Sequence, residues 1–202
     1  MGHRLPIVRR ILDVADANVL VLSYRGYGES EGIAEESGVK LDAQAAFDYL
    51  LSKARNGEID DKKIILYGQS IGGAVAIDLA ARNQEHVAGI IVENTFTSLR
   101  NLIPNVMPLM TWFRWLCHQR WESYQRLQEM LVSGDQMPRI LFLSGVKDEL
   151  VPPRHMQELF ALVEAKQKDC AKIKFFDKGT HNDTCLQPGY FEELTSFVRE
   201  FS

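Results

Sequence analysis

Apolar residues follow two rhythms along this chain. Where they return every three or four positions a helix is predicted; short unbroken runs between turn formers predict strands buried on both faces. The helical rhythm covers Leu5 to Asp13, with Leu5, Val8, Ile11 and Leu12 on one side and Arg4, Arg9 and Arg10 on a solvated face. It returns over Val39 to Ala54 through Val39, Leu41, Ala45, Ala46, Tyr49 and Leu50, then over Pro153 to Ala165 and Phe191 to Phe201. The unbroken runs are Asn18–Tyr24 (NVLVLSY), Ile64–Tyr67, His86–Glu93 (HVAGIIVE), Arg139–Gly145 (RILFLSG) and Ala171–Asp177 (AKIKFFD). Helix and strand alternate, which predicts an α/β fold with a doubly wound, mostly parallel sheet.

Asn94 to Gln136 breaks the alternation. It carries Pro104, Pro108, all three tryptophans (Trp112, Trp115, Trp121) and no strand signal. A helical lid insert over residues 97–136 is expected above the C-terminal edge of the sheet, within one domain spanning 1–202. Three readings of its apolar stretch 103–116 stay open: a lid lining an acyl pocket with Met107, Trp112 and Trp115, a membrane-facing patch, or ordinary packing.

The stretch Lys62 to Leu79 organises the rest. An apolar strand turns on Gly68-Gln69-Ser70-Ile71-Gly72-Gly73 and leaves as a run of helix formers. That is G-x-S-x-G in the strand–turn–helix setting that exposes a nucleophilic serine. A side chain at Gly68 or Gly72 is expected to crowd the turn. The simpler alternative is a turn with Ser70 as helix N-cap. A phosphate loop does not fit, because no Lys-Ser/Thr follows the glycines.

A serine nucleophile needs a base and a group that orients the base. In a parallel sheet both should lie past the C-terminal ends of later strands. Asp148 follows the 139–145 run and His181 follows the 171–177 run, in the order Ser…Asp…His. His181 would take the Ser70 proton, Asp148 would fix the imidazole tautomer, and the backbone N–H of Ile71 would donate to the oxyanion. Asp148 as a plain turn residue and Glu93 as the acid remain alternatives. Asp183 reads as a local loop cap and Asp78 as a solvated helix residue. Of the other histidines, His3, His86, His118 and His155 fall away from the expected site.

Composition narrows the classes. Apolar residues make up 46% and charged residues 25%, with a net charge of −4, ordinary for a globular chain and no footprint for nucleic acid. The three cysteines, Cys117, Cys170 and Cys185, form no C-x-x-C pair, so neither a disulfide scaffold nor a zinc site is expected. No apolar run is long enough for a transmembrane helix, and the N-terminus does not read as a signal peptide. By itself the chain reads as soluble and intracellular, with no metal or cofactor.

The stretches YRGYGESEG (24–32), LYGQSIGGAVAIDLA (66–80), VENTF (92–96), SGVKDELVPP (144–153) and GTHNDT (179–184) resemble the α/β-hydrolase superfamily, within it the bud-emergence-type (Bem-like) group. The resemblance implies a serine hydrolase with Ser70, Asp148 and His181 as triad. It implies an ester or thioester substrate, small-molecule or lipidated protein, since relatives in the wider group remove palmitate from protein cysteines. It also implies membrane association through one N-terminal anchor. Such proteins carry further strands, and a His-Gly-Asn-type loop with a second oxyanion donor, upstream of a Gly-His-Arg like Gly2-His3-Arg4. The chain is therefore expected to form the fold without its first strands, with a bare sheet edge. Three functions stay in play: an ester or thioester hydrolase, a silent remnant that binds partners through that edge and the insert, and a peptidase of the same fold.

Overall fold

The computed structural model describes residues 5–15, 17–106, 118–133 and 136–201. The elements, in order, are α1 (Leu5–Val14), α2 (Glu36–Arg55), β1 (Ile65–Gln69), α3 (Ile71–Arg82), β2 (Gly89–Glu93), α4 (Leu99–Val106), α5 (Ser123–Val132), β3 (Arg139–Gly145), α6 (Arg154–Lys166), β4 (Ala171–Phe176) and α7 (Tyr190–Arg199). Four strands form one parallel sheet in the order β1-β2-β3-β4. Ile65 lies opposite Gly89, Gly89 opposite Arg139, and Ile140 opposite Ala171. The carboxyl ends of all four strands therefore meet along one rim.

The continuous apolar runs make sense in this sheet, because the inner strands are covered on both faces. Along β2 and β3, Ile90, Val92, Ile140 and Phe142 join a core with residues of α2, α3, α5 and α6. The alternate residues Ile91, Leu141 and Leu143 join a second core with Tyr190, Leu194 and Phe197 of α7 and Ile7 and Ile11 of α1. The result is three layers, helix on sheet on helix.

Three details depart from the sequence expectation. Asn18–Tyr24 is not a strand: it makes no ladder, and Leu20 is 49% exposed. An apolar run becomes a strand only where an adjacent edge takes up its N–H and C=O groups. Among the described residues β1 pairs with β2 alone, so the run stays irregular until Tyr24 packs onto the core. It then enters the Gly26–Gly32 loop, anchored where Arg25 donates to both oxygens of Asp42.

The buried stripe of α2 is Gly38, Val39, Ala43 and Phe47, while Leu41 and Tyr49 face solvent. A spacing of four residues fits the helical period better than the six apolar positions taken together. Asp78 is not solvated. It is 2% exposed and takes ion pairs from Lys40 at 3.2 Å, Arg82 at 3.0 Å and Arg126 at 2.9 Å, joining α2, α3 and α5. A carboxylate so buried persists only with such compensation.

Within 97–136, α5 lies in the helix layer, with Leu127 and Met130 buried in the first core beside α3 and α6. It carries the chain from β2 to β3, as parallel strands require.

Candidate active site

At the end of β1 the chain reverses into α3 through Ser70, whose φ of 55° and ψ of −122° lie outside the regions open to most residues. That strain is held by the main chain. The Ser70 N–H donates to the Glu93 carbonyl at 2.8 Å, and the Thr95 hydroxyl donates to the Ser70 carbonyl at 2.8 Å. Gly68 is obligatory, because a Cβ there would fall inside the Gly72 carbonyl. The second crowded glycine is not Gly72, where a Cβ would meet only the Tyr24 hydroxyl at 4.0 Å. It is Gly73, where a Cβ would come within 2.6 Å of the Thr95 Cβ. The turn is tight against β2, not against the incoming loop.

Past β3, the Asp148 carboxylate divides its work. Oδ1 accepts from the backbone N–H groups of Leu150 at 2.9 Å and Val151 at 2.7 Å. Oδ2 lies 2.8 Å from His181 Nδ1, and both side chains are buried. A carboxylate only accepts, so Nδ1 carries the proton and Nε2 is left with a free lone pair. Asp148 serves the turn and also meets the imidazole.

Glu93 is committed elsewhere. It is fully buried at the end of β2, and its Oε2 accepts from the hydroxyls of Tyr67 and Tyr190, each at 2.6 Å. Burial first, then the neighbouring Tyr67 and Glu93, push the Tyr190 phenol well above its ordinary pKa, which keeps it a donor.

His181 sits on the loop after β4, at the far edge of the sheet from Ser70. The loop nevertheless crosses back over β3 and β2. Its His181 carbonyl accepts from Gln69 Nε2 at 2.7 Å and from Asn94 Nδ2 at 3.3 Å. Asp183 caps the same loop locally by accepting from the Thr180 N–H at 2.6 Å, which holds its carboxyl below the usual range. So Asp148 and His181 meet side chain to side chain, and His181 meets the residue that precedes Ser70. Among the described residues no hydrogen bond yet joins the Ser70 hydroxyl to the imidazole.

This arrangement coincides with a family match: residues 7–139 fit the family described as serine aminopeptidase, S33, whose fold is the α/β-hydrolase fold. The chain belongs to this α/β-hydrolase family. Protein bem46 of Schizosaccharomyces pombe is 44% identical, over 99% of this chain and 64% of the relative. An uncharacterized membrane protein of Saccharomyces cerevisiae is 40% identical, over 91% of the chain and 61% of the relative. The chain thus spans less than two thirds of either relative's length. The Pyrococcus furiosus esterase Pf2001 superposes with a TM-score of 0.70 at 21% identity, covering 99% of this chain and 74% of that one, which shows the shared fold.

In this α/β-hydrolase the Ile71 N–H opens α3, where backbone donors have no partner within the helix and the dipole favours negative charge. The lid candidates Met107, Trp112 and Trp115 lie outside the described residues. His155 is buried on α6 against the Thr97 hydroxyl, 3.0 Å from its Nδ1, and burial lowers its pKa to about 4. Among the described residues no group of His, Cys, Asp and Glu side chains could hold a metal, and no helix is long and apolar enough to cross a membrane.

Sequence reasoning missed Gln69, Asn94 and Thr95 as parts of the site. Two signals could have found them. Gln69 is one residue from Ser70, and Glu93-Asn94-Thr95 lies inside VENTF, a stretch that carries the family resemblance. Asn94 also sits at a φ of 47°, a backbone state that asparagine tolerates better than most residues.

Proposed function

We propose that this chain is a serine hydrolase that cleaves carboxylic esters or thioesters through Ser70, His181 and Asp148. One observation carries the reading: the Asp148–His181 pair at 2.8 Å stands on a loop tethered to Gln69, the residue before the strained Ser70. The Ser70 hydroxyl attacks the acyl carbon while His181 Nε2 takes its proton. The oxyanion settles on the Ile71 N–H at the start of α3, and the same imidazole then protonates the leaving alcohol or thiol. Water repeats the sequence on the acyl-serine and frees the acid. The open step from hydroxyl to imidazole closes when substrate fills the site, as hydrogen bonds of this kind tighten in the Michaelis complex.

The substrate class follows the family resemblance. Long acyl thioesters on protein cysteines, held at a membrane surface, are the favoured class. The membrane label of the yeast relative agrees with that setting. The family description favours a peptidase as second reading, in which an amide replaces the ester.

The test is covalent labelling by a fluorophosphonate, run beside Ser70→Ala and His181→Ala, followed by p-nitrophenyl esters, palmitoyl-cysteine peptides and aminoacyl amides. Labelling that Ser70→Ala abolishes, with turnover of esters and thioesters over amides, is expected. Removing the nucleophile should cost at least about a thousandfold in rate. Undiminished labelling of Ser70→Ala, or none of the folded unsubstituted chain, would sink the hydrolase and favour a binding module that uses the open edge of β1.

A further inference from the structure

The segment Glu93-Asn94-Thr95 has no assigned role, yet it touches every leg of the site. Thr95 holds the Ser70 carbonyl, and the Glu93 carbonyl holds the Ser70 N–H. Asn94 Oδ1 accepts from the Gly145 N–H at 2.8 Å, at the end of β3 where the Asp148 turn begins. Its Nδ2 meets the carbonyls of Thr180 and His181 at 3.2 and 3.3 Å and the Thr184 hydroxyl at 3.0 Å.

The amide of Gln69 is the most telling group in this cluster. It is 9% exposed, and its Nε2 gives both its hydrogens away, one to the His181 carbonyl at 2.7 Å and one to Glu93 Oε1 at 3.2 Å. Its own Oε1 finds no partner among the described residues. A buried amide that leaves its acceptor unpaired is costly if its purpose is stability alone. Its orientation is dictated by the two acceptors: Glu93 below, itself fixed by Tyr67 and Tyr190, and the histidine loop above.

We propose that Glu93, Gln69 and Asn94 form a clasp that sets the position of the His181 loop over Ser70, with Gln69 and Asn94 gripping one carbonyl and Glu93 orienting Gln69. The three are positioning residues. The loop descends from β4 at the opposite edge of the sheet; Asp148 holds the ring from the end of β3, and the grip of Gln69 and Asn94 on the His181 carbonyl ties the loop to the side of the sheet that carries Ser70. A displacement of about 1 Å between base and nucleophile is enough to cost about a hundredfold in rate. The inference rests on the hydrolase reading above.

The experiment measures, on the full chain, both the rate constant and the final stoichiometry of fluorophosphonate labelling. Gln69→Ala deletes the grip. Glu93→Gln keeps the volume of Glu93 and its hydrogen bonds to the tyrosines, but turns an amide nitrogen toward Gln69 Nε2, donor against donor. Each should slow labelling by about 10- to 100-fold while the final labelled fraction stays that of the unsubstituted chain. A merely structural role would do the reverse, lowering the labelled fraction and leaving the rate constant of the folded molecules alone. The double variant should be no slower than the slower single one, because both changes break one unit.

Unchanged rate constants in both single variants would overturn the clasp, as would rates that multiply in the double. Those failures are separate from failure of the reading itself, which would appear as labelling that persists in Ser70→Ala or is absent from the unsubstituted chain.

Discussion

Two stretches of this chain are almost the same sentence. Asn18–Tyr24 reads N-V-L-V-L-S-Y, and Arg139–Gly145 reads R-I-L-F-L-S-G. The second is β3, paired on both sides, with Ile140, Leu141, Phe142 and Leu143 all at 0% exposure. The first is irregular, with Leu20, Val21 and Leu22 open to solvent. Composition is therefore not what separates them. The difference is neighbours: β3 has an edge on each side, whereas 18–24 has none among the described residues. A strand is a property of a pair, and a single run states only that a pair would be welcome.

Substituting the two aligned leucines breaks the comparison most sharply. Leu141→Ala should destabilise the fold by about 3 kcal/mol, since a fully buried leucine leaves a cavity that neighbouring strands cannot fill; urea unfolding would measure it. A loss below about 1 kcal/mol would mean that β3 is less tightly packed than its burial implies.

A pH series gives an effect of comparable size and probes the helix that follows β3. His155 on α6 titrates near 4 when folded and near 6.5 when unfolded, because burial disfavours its charged form. The unfolded chain therefore binds this proton first. Stability is fully present above about pH 6.5 and falls as pH drops toward 4, by at most about 1.4 kcal/mol per pH unit from this group. His155→Asn should flatten that part of the curve in thermal melts, and an unchanged slope would show that other groups set it.

Amide exchange should then separate the two runs without any substitution. Residues 140–144 should exchange only on global unfolding, and residues 19–23 within the dead time of a manual experiment. The smallest effect is Leu20→Ala, which should shift the urea midpoint by the equivalent of less than about 0.5 kcal/mol. A value near that of Leu141→Ala would mean that 18–24 is covered in solution.

The same distinction explains how much could be read in advance. All four strands of the sheet were legible as continuous apolar runs, but the same signal over 18–24 named a strand that has no partner among the described residues. The pairing of Asp148 with His181 was legible from their places after the last two strands. What stayed hidden depends on partners distant in sequence. Asp78 looked solvated because nothing local reveals that Lys40 and Arg126 converge on it. Gly73 looked ordinary because its crowding comes from Thr95, just past the end of β2. The core stripe of α2 was blurred because Leu41 and Tyr49 are apolar yet face outward. Asn94 and Gln69 act through one main-chain carbonyl 87 and 112 residues away, a relation that composition cannot carry.

The two oxygens of Asp148 are not interchangeable, and an isosteric amide at that position would expose the asymmetry. Asparagine has one oxygen to offer. Facing Leu150 and Val151 it satisfies two backbone donors, so its NH2 must turn toward the imidazole, where it requires an unprotonated Nδ1. The ring would answer by shifting its hydrogen to the far nitrogen, and a histidine in that tautomer has nothing left with which to receive a proton from serine.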